Sequence, residues 1–99
     1  MIYTRFIIEG NILIMAKCDF HKNLATNKDN VKGGGFFRYD SDKDAFILSG
    51  TSHDFGRAEL KDIKACIDSG SVYGNVRQTR KMDNHKFFYD NHGELTELN

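Results

Sequence analysis

The sequence predicts an α+β domain: an antiparallel or mixed β-sheet of two hairpins plus one or two tail strands, packed by one main amphipathic helix over about residues 58–69. Three observations predict it. Gly10-Asn11 separates two β-rich runs, and such a pair is a strong hairpin signal. A second pair of β-rich runs flanks Ser41 to Asp44. Leu60, Ile63 and Ile67 then recur at helical spacing, with Cys66 beside them. At 99 residues the chain predicts one domain spanning 1–99, with room for a single core.

In the first hairpin, Tyr3 to Ile8 pairs with Ile12 to Phe20. With Gly10-Asn11 as the loop, Glu9 faces Ile12, Ile7 faces Ile14, Arg5 faces Ala16 and Tyr3 faces Cys18. Phe6, Ile8, Leu13 and Met15 share the other face. Both faces are apolar near the turn, so each needs a cover. Lys22 to Lys32 is polar and reads as one short helical turn followed by a loop. Gly33-Gly34-Gly35 follows, a costly run that makes sense where backbone passes close to something.

The second hairpin spans Phe36 to Asp40 and Ala45 to Ser49, pairing Tyr39 with Phe46 and Phe37 with Leu48. Asp40, Asp42 and Asp44 imitate the start of an EF-hand loop. The sixth position is Ala45 rather than Gly and the twelfth is Thr51 rather than Glu, so the stretch reads as a solvated turn. The small loop Gly50 to Gly56 leads into the helix, and Gly70 stops it in the left-handed position after its C-cap. Beyond Tyr73 the periodicity is lost. Lys86 to Asp90 is strand-like, Asn91-His92-Gly93 is a turn, and Glu94 to Leu98 returns as an edge strand or frays.

Charge and composition narrow the function. Lys plus Arg and Asp plus Glu are both 14, and this balance makes nucleic acid an improbable partner. The basic stretch Arg77, Arg80, Lys81 has no interleaved aromatic platform and reads as a solvated loop. The longest apolar run, Ile12 to Ala16, is too short to span a bilayer, and no membrane association is expected. With no secretory leader pattern and two cysteines, Cys18 and Cys66, read as free thiols, a cytoplasmic protein is expected. Cys18 and His21 imitate half of a zinc site. Their odd spacing on a strand points them to opposite faces, and no second ligand pair follows, so no metal and no other cofactor is expected. His85 and His92 default to the surface. His21 stands apart, because it lies at a strand exit where a side chain can enter a cleft as a general base. The loop GTSHDFG, small and Gly/Ser-containing, can offer backbone N–H groups to an anion.

Several of these residues together resemble the Janus/Ocnus phosphohistidine phosphatase family. The matching residues are Gly33-Gly34-Gly35, Phe46 to Gly50, Ser52, Phe55-Gly56, Ala58, Ile63-Lys64 and, upstream, Phe20-His21, with Arg5 before Phe6-Ile7-Ile8 in place of the family's lysine. The resemblance covers about Thr4 to Gly70. It implies a metal-independent protein histidine phosphatase. His21 would be the catalytic base or nucleophile, Ser52, His53 and Asp54 would cradle the phosphate chiefly through backbone amides, and Arg5 would neutralise its charge. The chain departs from the family at Phe36, where the family carries an arginine, leaving Arg38 on the same face as a substitute. It departs again at Asp54, where the family's residue is small and apolar, and at His53. The segment between His21 and Gly33 is also shorter than the family's. The expected partner is a phosphorylated protein or a small anionic ligand, and the sequence leaves the oligomeric state open. The alternative reading is a non-catalytic binding protein on the same scaffold, holding an anionic ligand or a protein partner.

Overall fold

A computed structural model describes residues 3–75 and 86–99. The stretch Arg77 to Lys81 and His85 lie outside the described residues. The described residues form an α+β structure, with a mixed seven-stranded sheet and one α-helix among them. The strands are β1 (Tyr3–Glu9), β2 (Ile12–Cys18), β3 (Val31–Asp40), β4 (Ala45–Ser49), β5 (Val72–Asn75), β6 (Lys86–Asn91) and β7 (Glu94–Glu97), and the helix is α1 (Leu60–Asp68). Their order across the sheet is β5-β2-β1-β3-β4-β6-β7.

β1 and β2 pair antiparallel with Glu9 opposite Ile12 and Tyr3 opposite Cys18. β3 and β4 pair antiparallel with Tyr39 opposite Phe46. The turn between them is closed by Asp40, whose Oδ1 accepts the N–H groups of Asp42 and Lys43, so this carboxylate caps a turn. Two joins go beyond a pair of hairpins with a tail: β5 runs parallel to β2, and β6 runs parallel to β4. β7 then returns antiparallel along β6 through the His92-Gly93 turn. The end of the chain does not fray. Leu98 is buried in the core, its N–H donates to the Phe87 carbonyl, and its own carbonyl accepts from Lys64 Nζ on α1.

The core lies on the sheet face that carries Phe6, Ile8, Leu13, Met15, Phe37, Phe46, Leu48, Phe87 and Tyr89. Helix α1 covers it with Ile63, Cys66 and Ile67. Each buried aliphatic side chain of this kind contributes about 2 kcal/mol. Leu60, expected to share that stripe, is the first residue of the helix and is 39% exposed. The helix ends in a Schellman motif: Ser71 N–H bonds to Cys66 O and Gly70 N–H to Ile67 O, with Gly70 at φ 71°.

The triple glycine belongs to β3 and does not merely precede it. Gly33, Gly34 and Gly35 pair with Ile8, Ile7 and Phe6 of β1. A Cβ on Gly33 would lie 2.7 Å from backbone atoms of Arg57 and Ala58. One on Gly34 would overlap the Phe6 carbonyl oxygen and come within 3.2 Å of His21 Cδ2, and one on Gly35 would overlap the Ser49 carbonyl oxygen. The bare stretch therefore admits the helix lead-in on one face and His21 on the other.

The opposite face, with Ile7 buried, is covered near β1 by the polar segment after β2. That segment holds two short 3-10 turns, His21–Asn23 and Lys28–Asn30. Glu9 pins it. Its carboxylate accepts the N–H of Thr26 at 2.7 Å and of Asn27 at 3.2 Å, together with the Thr26 hydroxyl. Those bonds hold the Glu9 carboxyl below its ordinary pKa, led by the Thr26 hydroxyl.

Replacing Gly34 by Ala places a methyl group against fixed backbone, so a loss of at least about 2 kcal/mol is expected from urea denaturation. A Gly56→Ala control, where nothing lies within 4 Å of the added Cβ, reports the cost of the left-handed φ of 78° without a clash. Equal losses in the two variants would refute the close-approach account of the triple glycine.

Candidate active site

His21 is placed by the chain's turn out of β2. Phe20 is extended, its N–H is held by Asn23 Oδ1 at 2.9 Å, and the 3-10 turn that follows directs the imidazole inward. The ring lies against the bare backbone of Gly34 and 5.2 Å from the Phe36 ring, edge to face. It is 2% exposed. Nε2 sits 2.7 Å from the Gly35 carbonyl oxygen. A carbonyl only accepts, so Nε2 carries the proton and Nδ1 keeps its lone pair. Among the described residues no sealed side-chain nitrogen or oxygen lacks a hydrogen-bond partner. Nδ1 has no hydrogen-bond partner among the described residues.

Burial pushes the His21 pKa below the ordinary imidazole value. The Gly35 hydrogen bond opposes this, the Arg5 guanidinium adds to it, and the Asp54 carboxylate opposes it. The ring is thus neutral near pH 7. Arg5 and Asp54 thus each lie within electrostatic reach of His21.

Arg5 is clamped. Its guanidinium carbon lies 5.1 Å from the centroids of both Tyr3 and Phe36, and the two rings meet edge to face at 6.1 Å. Nε donates to the Cys18 carbonyl oxygen at 3.1 Å. The terminal nitrogens have no protein acceptor among the described residues, so the cation is held with its terminal donors unused.

The loop after β4 is a closed turn. Ser52 N–H donates to both Gly34 O and Gly56 O, Gly56 N–H returns to Ser52 O, and Ser52 Oγ accepts from Phe55 N–H. Ser52 is buried and its oxygen serves the loop, while His53 and Asp54 are exposed at the tip. The N–H groups of His53 and Asp54 make no hydrogen bond within the described residues. Because the loop is sewn to Gly34 and His21 packs on that same glycine, the two share a wall.

Arg38 is not part of this grouping. It lies 3.8 Å from the Asp40 carboxylate, and no hydrogen bond, ion pair or ring contact joins it to His21, Arg5 or the loop. Among the described residues, Arg5 on β1 is the cation whose charge acts on His21. Sequence reasoning missed Tyr3 as half of the clamp and Glu9 as the staple. A charged residue closing the apolar run Phe6-Ile7-Ile8 was the available signal for Glu9.

Cys18 is half-buried, and its thiol donates to the Phe20 carbonyl at 3.2 Å. No group of three or more His, Cys, Asp or Glu is arranged to hold a metal ion among the described residues. No helix among them is long and apolar enough to cross a membrane. Comparison with protein-family models, curated proteins and solved structures finds no match.

A depressed histidine pKa predicts a specific acid sensitivity. The unfolded chain takes up the proton first as pH falls, so the His21 contribution is intact above pH 6.5 and is lost below it. The Glu9 contribution is lost only lower, as pH falls through and below 4.5. The urea midpoint of the wild type should fall between about pH 7 and about pH 5.5, and His21→Gln, whose amide can still donate to Gly35, should fall less. Equal falls would show that His21 does not carry the effect.

Proposed function

We propose that the chain is a phosphohistidine-phosphatase-like phosphohydrolase, in which His21 acts on a phosphoryl group held by the tip of the Gly50 to Gly56 loop and by Arg5. The observation that carries this reading is the state of His21, a buried ring with its proton held on Nε2 by the Gly35 carbonyl and its Nδ1 lone pair unused by any described residue. Phosphoryl transfer asks mostly for positioning and charge neutralisation. The clamped Arg5 offers unused donors for the phosphate oxygens, and the free N–H groups of His53 and Asp54 offer more.

As a base, Nδ1 takes a proton from water while the water oxygen bonds to phosphorus and the P–N bond breaks. The proton then passes to the departing imidazole nitrogen, leaving histidine and phosphate. As a nucleophile, Nδ1 bonds to phosphorus while the substrate P–N bond breaks and the departing imidazole takes a proton from solvent; water then bonds to phosphorus as the Nδ1–P bond breaks, releasing phosphate and the free His21 ring.

Phe36 fits this scheme as a holder of Arg5. Where the resembling family carries a second cation, this chain immobilises the one it has. Asp54 favours a second reading, a non-catalytic binding module, since a carboxylate within reach of His21 opposes a dianion.

The test is hydrolysis of a phosphohistidine peptide in the presence of a chelator. Wild type should release phosphate, and His21→Ala should lose at least about a hundredfold in kcat, a typical share for a general base. Circular dichroism keeps a folding defect apart from a catalytic one. Binding without turnover by the wild type would select the non-catalytic module, and an acid-labile phosphoenzyme would select the nucleophile over the base.

A further inference from the structure

A recess of about 380 Å³ lies between α1 and the Gly10-Asn11 turn, on the helix side of the sheet, whereas His21 packs on the opposite face. One wall is a stripe of the helix, Asp62, Ala65, Cys66 and Ser69, at the spacing that shares one helical face. Lys32 and Ser71 line it from the other strands and the helix exit.

Lys32 reaches this recess because β3 is irregular there. Gly33 pairs with Ile8 and Val31 with Glu9, so Lys32 is the extra residue of a bulge, a device that re-aims a side chain. Strict alternation would set Lys32 on the face of Gly34, away from the helix. It lines the recess beside the helix instead, at the same end as Asp62. Gly33, next to Lys32, packs against the helix lead-in at Arg57 and Ala58, and Asp62 lies in the helical turn that follows. Both charges act on the Cys66 thiol: burial raises its pKa most, the Asp62 carboxylate raises it further and the Lys32 ammonium lowers it. Neither the Lys32 nor the Asp62 side chain has a hydrogen-bond or ion-pair partner among the described residues. The far end differs. The Ser69 hydroxyl bonds to the Cys66 carbonyl at 3.1 Å and lies 3.0 Å from the Ser71 hydroxyl, so that end is satisfied within the protein.

This arrangement restricts the ligand. A lone anion beside Lys32 meets Asp62, and a lone cation beside Asp62 meets Lys32. No aromatic side chain lines the recess, so a nucleobase has no ring to stack on. A molecule with a carboxylate and an ammonium on one carbon satisfies both charges at once. Between the two ends the wall offers the Ala65 methyl and the Cys66 thiol, a small hydrophobic surface.

We propose that this recess binds a free α-amino acid with a small aliphatic side chain, its carboxylate on Lys32, its ammonium on Asp62 and its side chain along Ala65 and Cys66. Such a site is independent of the His21 chemistry.

Three probes that carry different charges test it: L-valine, N-acetyl-L-valine, which lacks the ammonium, and L-valinamide, which lacks the carboxylate. L-Valine should shift the amide resonances of Asn11, Lys32, Cys66 and Ser71, with a Kd on the order of 1 mM for two partly exposed ion pairs. Each blocked probe should bind the wild type roughly tenfold more weakly, the effect of losing one charge-assisted hydrogen bond. Asp62→Asn should weaken L-valine similarly without weakening N-acetyl-L-valine further, and Lys32→Met should weaken L-valine but not L-valinamide. Both positions are exposed, and unchanged resonances away from the recess show that the variants keep the fold. N-acetyl-L-valine binding as tightly as L-valine would mark a simple anion site, and L-valinamide doing so a simple cation site; either result overturns the amino-acid site. So does an absence of shifts at about 20 mM L-valine, well above the expected Kd. Equal weakening of all three probes by each variant would reduce Lys32 and Asp62 to a structural role and overturn it as well.

Discussion

The structure depends on the close approach of three chain segments at Gly33 to Gly35. On one face the lead-in to α1 lies against Gly33, and the carbonyl oxygens of Ser49 and Gly50 crowd Gly35. On the other face His21 rests on Gly34. Ser52 and Gly56 bond to the Gly34 backbone along its edge. Side chains at these positions would push the loop, the helix and the histidine apart. Fixing three glycines costs more backbone entropy than fixing other residues. The β1 ladder on one edge and the loop's hydrogen bonds on the other offset that cost.

The same crowding sets the electrostatics of the site. Packing His21 on bare backbone removes its water, lowers its proton affinity and brings the Gly35 carbonyl to Nε2. Burial and tautomer therefore come from one contact. Arg5 is held differently, by faces of aromatic rings rather than by a carboxylate. A carboxylate partner would neutralise the guanidinium and occupy its donors, whereas a ring holds it and leaves the donors free.

The two parallel joins give the sheet its breadth. β5 extends it beyond β2 and β6 extends it beyond β4, so the β1–β3 pair with its glycines lies in the middle. A central strand pair has neighbours on both edges, which keeps the geometry around His21 insulated from the ends of the sheet. The last residues lock β6 to α1 through Leu98.

Local chemistry in the sequence determined the α+β class, the sharing of faces in each strand, the stop at Gly70 and the turn capped by Asp40. Each of these rests on side-chain alternation or on backbone preferences that act over a few residues. His21 was legible as a strand-exit histidine, and the loop as a small turn before a helix. Only the tertiary structure decided which groups meet. It brought Tyr3 and Phe36 together around Arg5, and it turned Ser52 inward as the loop's own cap. It also made the triple glycine a strand, since only the neighbours' backbones reveal why no side chain fits there. The parallel joins of β5 and β6 were beyond the sequence for the same reason: a parallel pair is fixed by long-range packing and leaves no turn signal between its strands.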